Sequence, residues 1–173
     1  MSVAAATLHR MTDEHSDVRH GDVRLREVVD DDLLVLHAYE NDPEAVRRSK
    51  FTPRPLDAFL KHWRERILRD PDSLVRAVTV DGEVAGSVVS WTAKDGRRFV
   101  GYWLGRPYWA RGVGTRALGL FLELERVRPL YADPFSGNTA SVRLLEKHGF
   151  EHVGTDRDGE DVFAVLALGR PPA

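Results

Sequence analysis

The chain has 173 residues, 42% of them hydrophobic and 30% charged, with a formal net charge of −2 and no cysteine. That balance is the one of a globular domain, long enough for a single core. It excludes the basic footprint of a nucleic-acid binder. No apolar run approaches the roughly 20 residues of a membrane span, and without thiols there is no disulfide, thiolate nucleophile or cysteine metal site.

Met1 to about Gly21 is polar and aperiodic and is expected to be a flexible tail. It lacks the apolar block of a signal peptide, which fits a cytoplasmic protein. His9, His15 and His20 are spaced too irregularly in it to suggest a metal. Val23–Val28 alternates apolar and charged residues, as a strand with one buried face does. Asp30-Asp31-Asp32 then opens a helix to about Glu40, acids first as the dipole prefers, with Leu33, Leu34, Leu36 and His37 as its apolar side. Asn41-Asp42-Pro43 breaks it, and Glu44–Ser49 reads as a short helical turn. A proline-punctuated loop leads to a second long helix, Leu56–Arg69, with Leu56, Phe59, Leu60, Trp63 and Ile67 at helical spacing.

Three strands follow, Leu74–Val80, Glu83–Ala93 and Arg97–Leu104, joined by turns at Asp81-Gly82 and Lys94-Asp95-Gly96. This antiparallel meander delivers the chain to Tyr108-Trp109-Ala110-Arg111-Gly112-Val113-Gly114-Thr115-Arg116. Strand, glycine turn and amphipathic helix in that order bring unpaired helix N–H groups to a surface that a phosphate can approach. A tight strand-to-helix turn that binds nothing has the same sequence. The helix carries Val113, Ala117, Leu118, Leu120, Phe121, Leu124 and Val127 and is closed by Pro129. Then come a short strand, Leu130–Ala132, a helix opened by Asn138 and stopped at Gly149, and a last hairpin around Asp158-Gly159. No repeat or linker divides the chain, so one domain, residues 22–168, is expected between the tail and a short terminus at 169–173.

The order of these elements, with Gly101–Thr115 and Asn138-Thr139-Ala140-Ser141-Val142-Arg143-Leu144-Leu145-Glu146-Lys147-His148-Gly149-Phe150, resembles the GNAT superfamily of acetyl-CoA-dependent N-acetyltransferases. Both stretches are similar to the branch that includes the ribosomal-protein N-terminal acetyltransferases. The resemblance implies an α/β (α+β) fold: a central mixed, mostly antiparallel, twisted sheet of six to seven strands flanked by about four helices. It implies acetyl-CoA as co-substrate, a primary amine of a small molecule or protein N-terminus as acceptor, direct attack in a ternary complex, and no metal, nucleic acid or membrane. Homodimers are common among similar proteins. Three positions depart from the family pattern. Trp109 stands where a Gln or Arg usually opens the phosphate loop. Leu145 stands where many members have a tyrosine acid, and Phe99 near where a glutamate often precedes the loop. A non-catalytic acyl-CoA sensor or interaction domain is therefore a second reading.

On this resemblance the backbone of Trp103 and Leu104 pairs with the pantetheine arm, and the amides of Gly112, Val113, Gly114 and Thr115 take the diphosphate. Arg111 and Arg116 add charge-assisted bonds, and Asn138 meets the pantetheine or the adenosine-linked phosphate. The oxyanion meets a backbone N–H near Leu104. Ser141 is the first candidate proton donor to the CoA sulfur, against the reading of a first-turn hydroxyl satisfying local backbone. Asp133 is the first candidate base, ahead of His62 and Glu40. His62, Trp63, Trp91 and Tyr131, with Ser49-Lys50-Phe51 and Arg54, are expected near the acceptor. Arg47, Arg48, Lys50 and Arg54 suit a phosphate-bearing acceptor, or equally a solvated loop.

Overall fold

The computed structural model describes residues 21–169, so the expected tails lie almost wholly outside the described residues. One seven-stranded sheet organises them, in the order β1-β2-β3-β4-β5-β7-β6. Its strands are β1 (Val23–Arg26), β2 (Leu74–Val80), β3 (Glu83–Thr92), β4 (Arg98–Leu104), β5 (Leu130–Ala132), β6 (Glu151–Asp158) and β7 (Asp161–Leu168). Every neighbouring pair is antiparallel except β4 and β5. Five α-helices accompany it: α1 (Asp32–Glu40), α2 (Pro43–Ser49), α3 (Leu56–His62), α4 (Val113–Leu124) and α5 (Thr139–Lys147). This is the mixed, mostly antiparallel α/β architecture expected, with one more helix than foreseen.

Strand alternation sorts the side chains onto two faces. On one, Val78, Val80, Val88, Val100, Leu130 and Ala132 pack with Val113, Ala117, Leu118 and Phe121 of α4 and Leu145 of α5. Phe121 is fully buried, and truncating such a side chain costs about 3–5 kcal/mol. On the other face Leu33, Leu36, Phe59 and Trp63 pack over Val75, Val84 and Val89. A small aromatic group, Phe99, Tyr131 and Trp91, continues that face toward β7.

Several local expectations are corrected. The second long helix loses its α register after His62 and continues as a π-helical turn, Trp63–Ile67. Leu34 is not on the apolar side of α1 but 59% exposed. Of the three acids that open this helix, Asp30 and Asp32 act as ion-pair partners. Asp31, at the cap, makes no side-chain cap bond. Asp30 binds Arg64 through two bonds of 2.7 and 2.8 Å. Asp32 is buried and takes both Arg26 Nη1 (2.7 Å) and Nη2 (2.9 Å). Asp42, by contrast, caps α2 through the N–H groups of Glu44 and Ala45.

The root of β4 is fixed by a buried charge cluster. Arg98 donates to Glu125 Oε2 from Nε (3.0 Å) and Nη2 (2.9 Å), and to Ser90 Oγ (3.1 Å). Ser90 donates a short bond to the same carboxylate oxygen, and Val127 N–H donates to Oε1 at 3.0 Å. Burial raises the Glu125 carboxyl pKa, but Ser90, the Val127 amide and Arg98 outweigh it and hold the group below its usual range.

Candidate active site

β4 and β5 are paired at only two positions, Arg98 with Leu130 and Phe99 with Tyr131. Beyond them the parallel strands part, and the gap opens into a cavity of about 700 Å³. Its walls come from both faces of the sheet. Tyr102, Leu104, Gly114, Ser141 and Leu144 line it on the α4–α5 side, and Phe51, Trp103, Asp133, Phe135 and Phe163 on the other. The passage therefore runs through the sheet rather than along one face.

Register decides what β4 offers to this gap. Ala93 N–H donates to Arg97 O and Gly105 N–H to Ala85 O, each at 2.8 Å, at the two ends of the β3–β4 ladder. Hydrogen-bonded pairs in an antiparallel ladder alternate. The odd-numbered residues of β4 therefore spend their backbone groups on β3, where Trp103 pairs with Ser87. The N–H and C=O groups of Val100, Tyr102 and Leu104 face the gap. This corrects the expectation for Trp103: its side chain lines the cavity, but the strand edge open to a ligand is that of Tyr102 and Leu104. Leu104 O already accepts from Trp109 Nε1 at 2.9 Å, which leaves the Leu104 N–H.

The glycine turn lies at one end. Ala110 (φ 55°) and Gly112 (φ 77°) both adopt left-handed backbone, which swings the chain into α4 with no side chain capping its first turn. The amides of Val113, Gly114 and Thr115 are left without intrahelical partners. All three residues line the cavity, as do Gly112 and Asn138. Gly114 keeps this wall close: a Cβ there would lie 3.2 Å from Leu144 Cδ2 and 3.3 Å from Leu104 Cδ1, pressing on both side chains. The two expected arginines do not join these amides. Arg111 is exposed, with its guanidinium 5.8 Å from the Tyr108 ring centroid, and Arg116 points to solvent. The cation at this end is Arg48 of α2, on the cavity wall and 4.7 Å from the Trp109 ring centroid. Trp109 thus pins the loop to β4 and carries a guanidinium on its face. Sequence spacing could not pair residues 48 and 109.

On the α4–α5 side of the cavity, Tyr102 Oη lies 2.6 Å from Ser141 Oγ and 3.3 Å from Ser141 O. Burial pushes the Tyr102 phenol up to about 12, although its bond to Ser141 pulls the other way. The phenol therefore keeps its proton. Asn138 Oδ1 accepts from Ser141 N–H at 3.3 Å, capping α5. Leu145, at the place of the family's usual tyrosine, is buried at the cavity wall. A phenol reaches this helix from the sheet instead.

Asp133 follows β5 directly and opens onto the cavity. Desolvation raises its carboxyl pKa, and Asp156 adds to the shift while Arg97 opposes it. The other foreseen acceptor residues lie elsewhere. Trp63 is 3% exposed, packed on Phe59 with ring centroids 5.7 Å apart, so it is core. Tyr131 is buried against Phe99, and Trp91 stacks on the same ring. Neither lines the cavity. His62 and Glu40, the weaker base candidates, are also off its wall. Burial, then Arg54 and Arg66, lowers the His62 pKa. Burial raises Glu40 to about 7 against the pull of Arg54, and its Oε2 finds no hydrogen-bond partner.

Solved structures share this fold. Aminoglycoside acetyltransferase AAC(6′)-Ib in complex with coenzyme A superposes with a TM-score of 0.71 at 20% identity, over 86% of this chain and 95% of that one. The same enzyme in complex with paromomycin and acetyl-CoA gives 0.70 at 22% identity, over 86% and 94%. A domain from Methanocaldococcus jannaschii gives 0.68 at 18% identity, over 85% and 99%. At such identities the likeness is one of fold. No curated protein matches the sequence. The family model described as "Acetyltransferase (GNAT) domain" matches residues 22–151, three quarters of the chain and every part of the cavity except Phe163, and the chain belongs to that family.

Proposed function

We propose that this protein transfers an acetyl group from acetyl-CoA to the primary amine of a small molecule by direct attack in a ternary complex. The observation that carries the reading is the cavity that passes between β4 and β5, with free amides at one mouth and a carboxylate at the other. Diphosphate suits the amides of Val113, Gly114 and Thr115, reinforced by Arg48. The pantetheine arm fits beside Tyr102 and Leu104 as an added strand would. The thioester then lies beside Tyr102 and Ser141, and the Leu104 N–H is the oxyanion donor.

The amine enters from the Asp133 side. Its nitrogen lone pair attacks the thioester carbon, the C–N bond forms, and the C–S bond breaks on collapse of the tetrahedral intermediate. The nitrogen proton passes to Asp133 or through water, and the departing sulfur takes the Ser141 hydroxyl proton. Tyr102, protonated, holds Ser141 in place and can donate to its oxygen as that proton leaves. Positioning supplies much of the rate, with proton transfer adding about 10²–10⁴-fold.

Lys50 Nζ, at the end of α2, reaches Asp161 Oδ1 of the final hairpin at 3.6 Å. Calorimetry with acetyl-CoA, longer acyl-CoAs and free CoA tests the donor site. Acceptor-dependent thiol release from an amine panel tests transfer. Micromolar acetyl-CoA binding with turnover is expected; binding without any acceptor-dependent release would favour a sensor.

A further inference from the structure

The acceptor half of the cavity has a composition of its own. Its surface is aromatic: Phe51 lies 5.2 Å from Trp103, and Phe135 lies 5.9 Å from Phe163, centroid to centroid. Of all the residues lining the cavity, one is acidic, Asp133, and two are basic, Arg48 and Lys50. Arg48 is at the glycine turn, stacked on Trp109. Lys50 is at the other end, its ammonium 5.5 Å from the Phe135 ring centroid, and Phe135 is only two residues beyond Asp133. Carboxylate, aromatic wall and ammonium thus stand together along one segment of the lining. Among the described residues the one ion-pair partner of the Lys50 ammonium is Asp161, at 3.6 Å with both side chains more than 40% exposed, so a ligand anion can replace that partner.

A polycation meets a poor surface here, since this half of the lining offers one carboxylate, Asp133, and sets the Lys50 ammonium beside it. A neutral amine leaves Lys50 without a purpose in the site. We propose that the acceptor is a free α-amino acid with an aromatic or large apolar side chain: amine toward Asp133, carboxylate toward Lys50, side chain among Phe51, Phe135 and Phe163. The inference rests on the acetyltransferase reading. The reaction balances as an N-acetylation. The amino nitrogen, as the free base, forms the amide bond, the thioester C–S bond breaks, one nitrogen proton is lost to Asp133, and the CoA sulfur is protonated to the thiol.

The test is thiol release by the full-length protein with acetyl-CoA and three acceptors at equal concentration: L-phenylalanine, phenethylamine, which lacks the carboxylate, and kanamycin, a polycation. Phenylalanine is expected to exceed phenethylamine at least tenfold in kcat/KM, with kanamycin lower still. Lys50→Ala should collapse the phenylalanine-to-phenethylamine ratio toward one, and Lys50→Arg should keep most of it. A ratio near one in the wild type, or one unchanged in Lys50→Ala, overturns the carboxylate contact. Turnover of kanamycin above phenylalanine overturns the substrate class and leaves the acetyltransferase reading standing. Failure to bind acetyl-CoA by calorimetry removes the reading beneath it, and the two failures are thereby told apart.

Discussion

Tyr102 of β4 and Ser141 of α5, both on the cavity wall, share a 2.6 Å hydrogen bond. They are the only contact in which a sheet phenol meets the first turn of α5 among the described residues. If Ser141 protonates the departing sulfur, Ser141→Ala should lower kcat about a hundredfold or more with little change in the acetyl-CoA Kd. Tyr102→Phe should lower kcat less, and the double variant should be no worse than Ser141→Ala, since groups that act as a unit are not additive. Steady-state kinetics with a true acceptor decides; independent, additive losses would mean that the two hydroxyls do separate work.

The first turn of α4 should respond to charge and bulk alike. Gly114→Asp puts a carboxylate among the amides meant for phosphate and presses on Leu144 and Leu104. Acetyl-CoA affinity should fall at least a hundredfold by calorimetry. Those two contacts are the ends of flexible side chains, so the far-ultraviolet circular dichroism spectrum should be unchanged. Arg48→Ala should weaken binding more modestly, and the loss should shrink at high salt.

Asp133 should show opposite signs in stability and in activity. Its carboxyl pKa is raised in the folded protein, so the folded state favours the protonated form more than the unfolded chain does. Above that pKa the ionised group costs stability; below its unfolded value of about 3.9 the cost disappears. Asp133→Asn should therefore raise Tm at pH 7 by about 1–2 °C, a gain kept small by solvent in the cavity. The gain should vanish near pH 3, and kcat should drop. A lower Tm at pH 7 would contradict the assignment of its environment.

The Arg98–Glu125 pair carries the reverse sign. The Glu125 pKa is depressed in the folded state, so its contribution to stability is complete above the unfolded value of about 4.3 and is lost as pH falls through the folded one. Thermal melts between pH 3 and 6 should show this as an acid-side decline that is shallower in Glu125→Gln. Arg98→Ala leaves Glu125 and Ser90 buried without their cation and should cost about 3–5 kcal/mol.

The architecture was largely legible because period and punctuation agree along most of the chain. Asp81-Gly82, Lys94-Asp95-Gly96 and Asp158-Gly159 bound the hairpins they mark, and Gly112 opens α4 in the left-handed conformation that its position requires. The misassignments share one cause, partners distant in sequence. Trp63 and Tyr131 are aromatic near a cleft in sequence order, but the core claims both. Arg48 reads as a solvated loop cation until the fold lays it on Trp109, and Tyr102 reads as a strand residue until α5 packs over it. Asp32 reads as a first-turn acid suited to the helix dipole because its partner, Arg26, lies across a strand-to-helix corner. The backbone parity of β4 depends on which neighbour it pairs with first, and nothing local in Trp103-Leu104 states that.

The two-residue pairing of β4 with β5 also bears on the order of events. A passage entered from both sides of a sheet lets donor and acceptor arrive by separate doors, so neither need wait for the other to bind or to leave. On the proposed mechanism, initial-rate kinetics should then show no obligatory order of addition, with free CoA competing against acetyl-CoA and not against the acceptor.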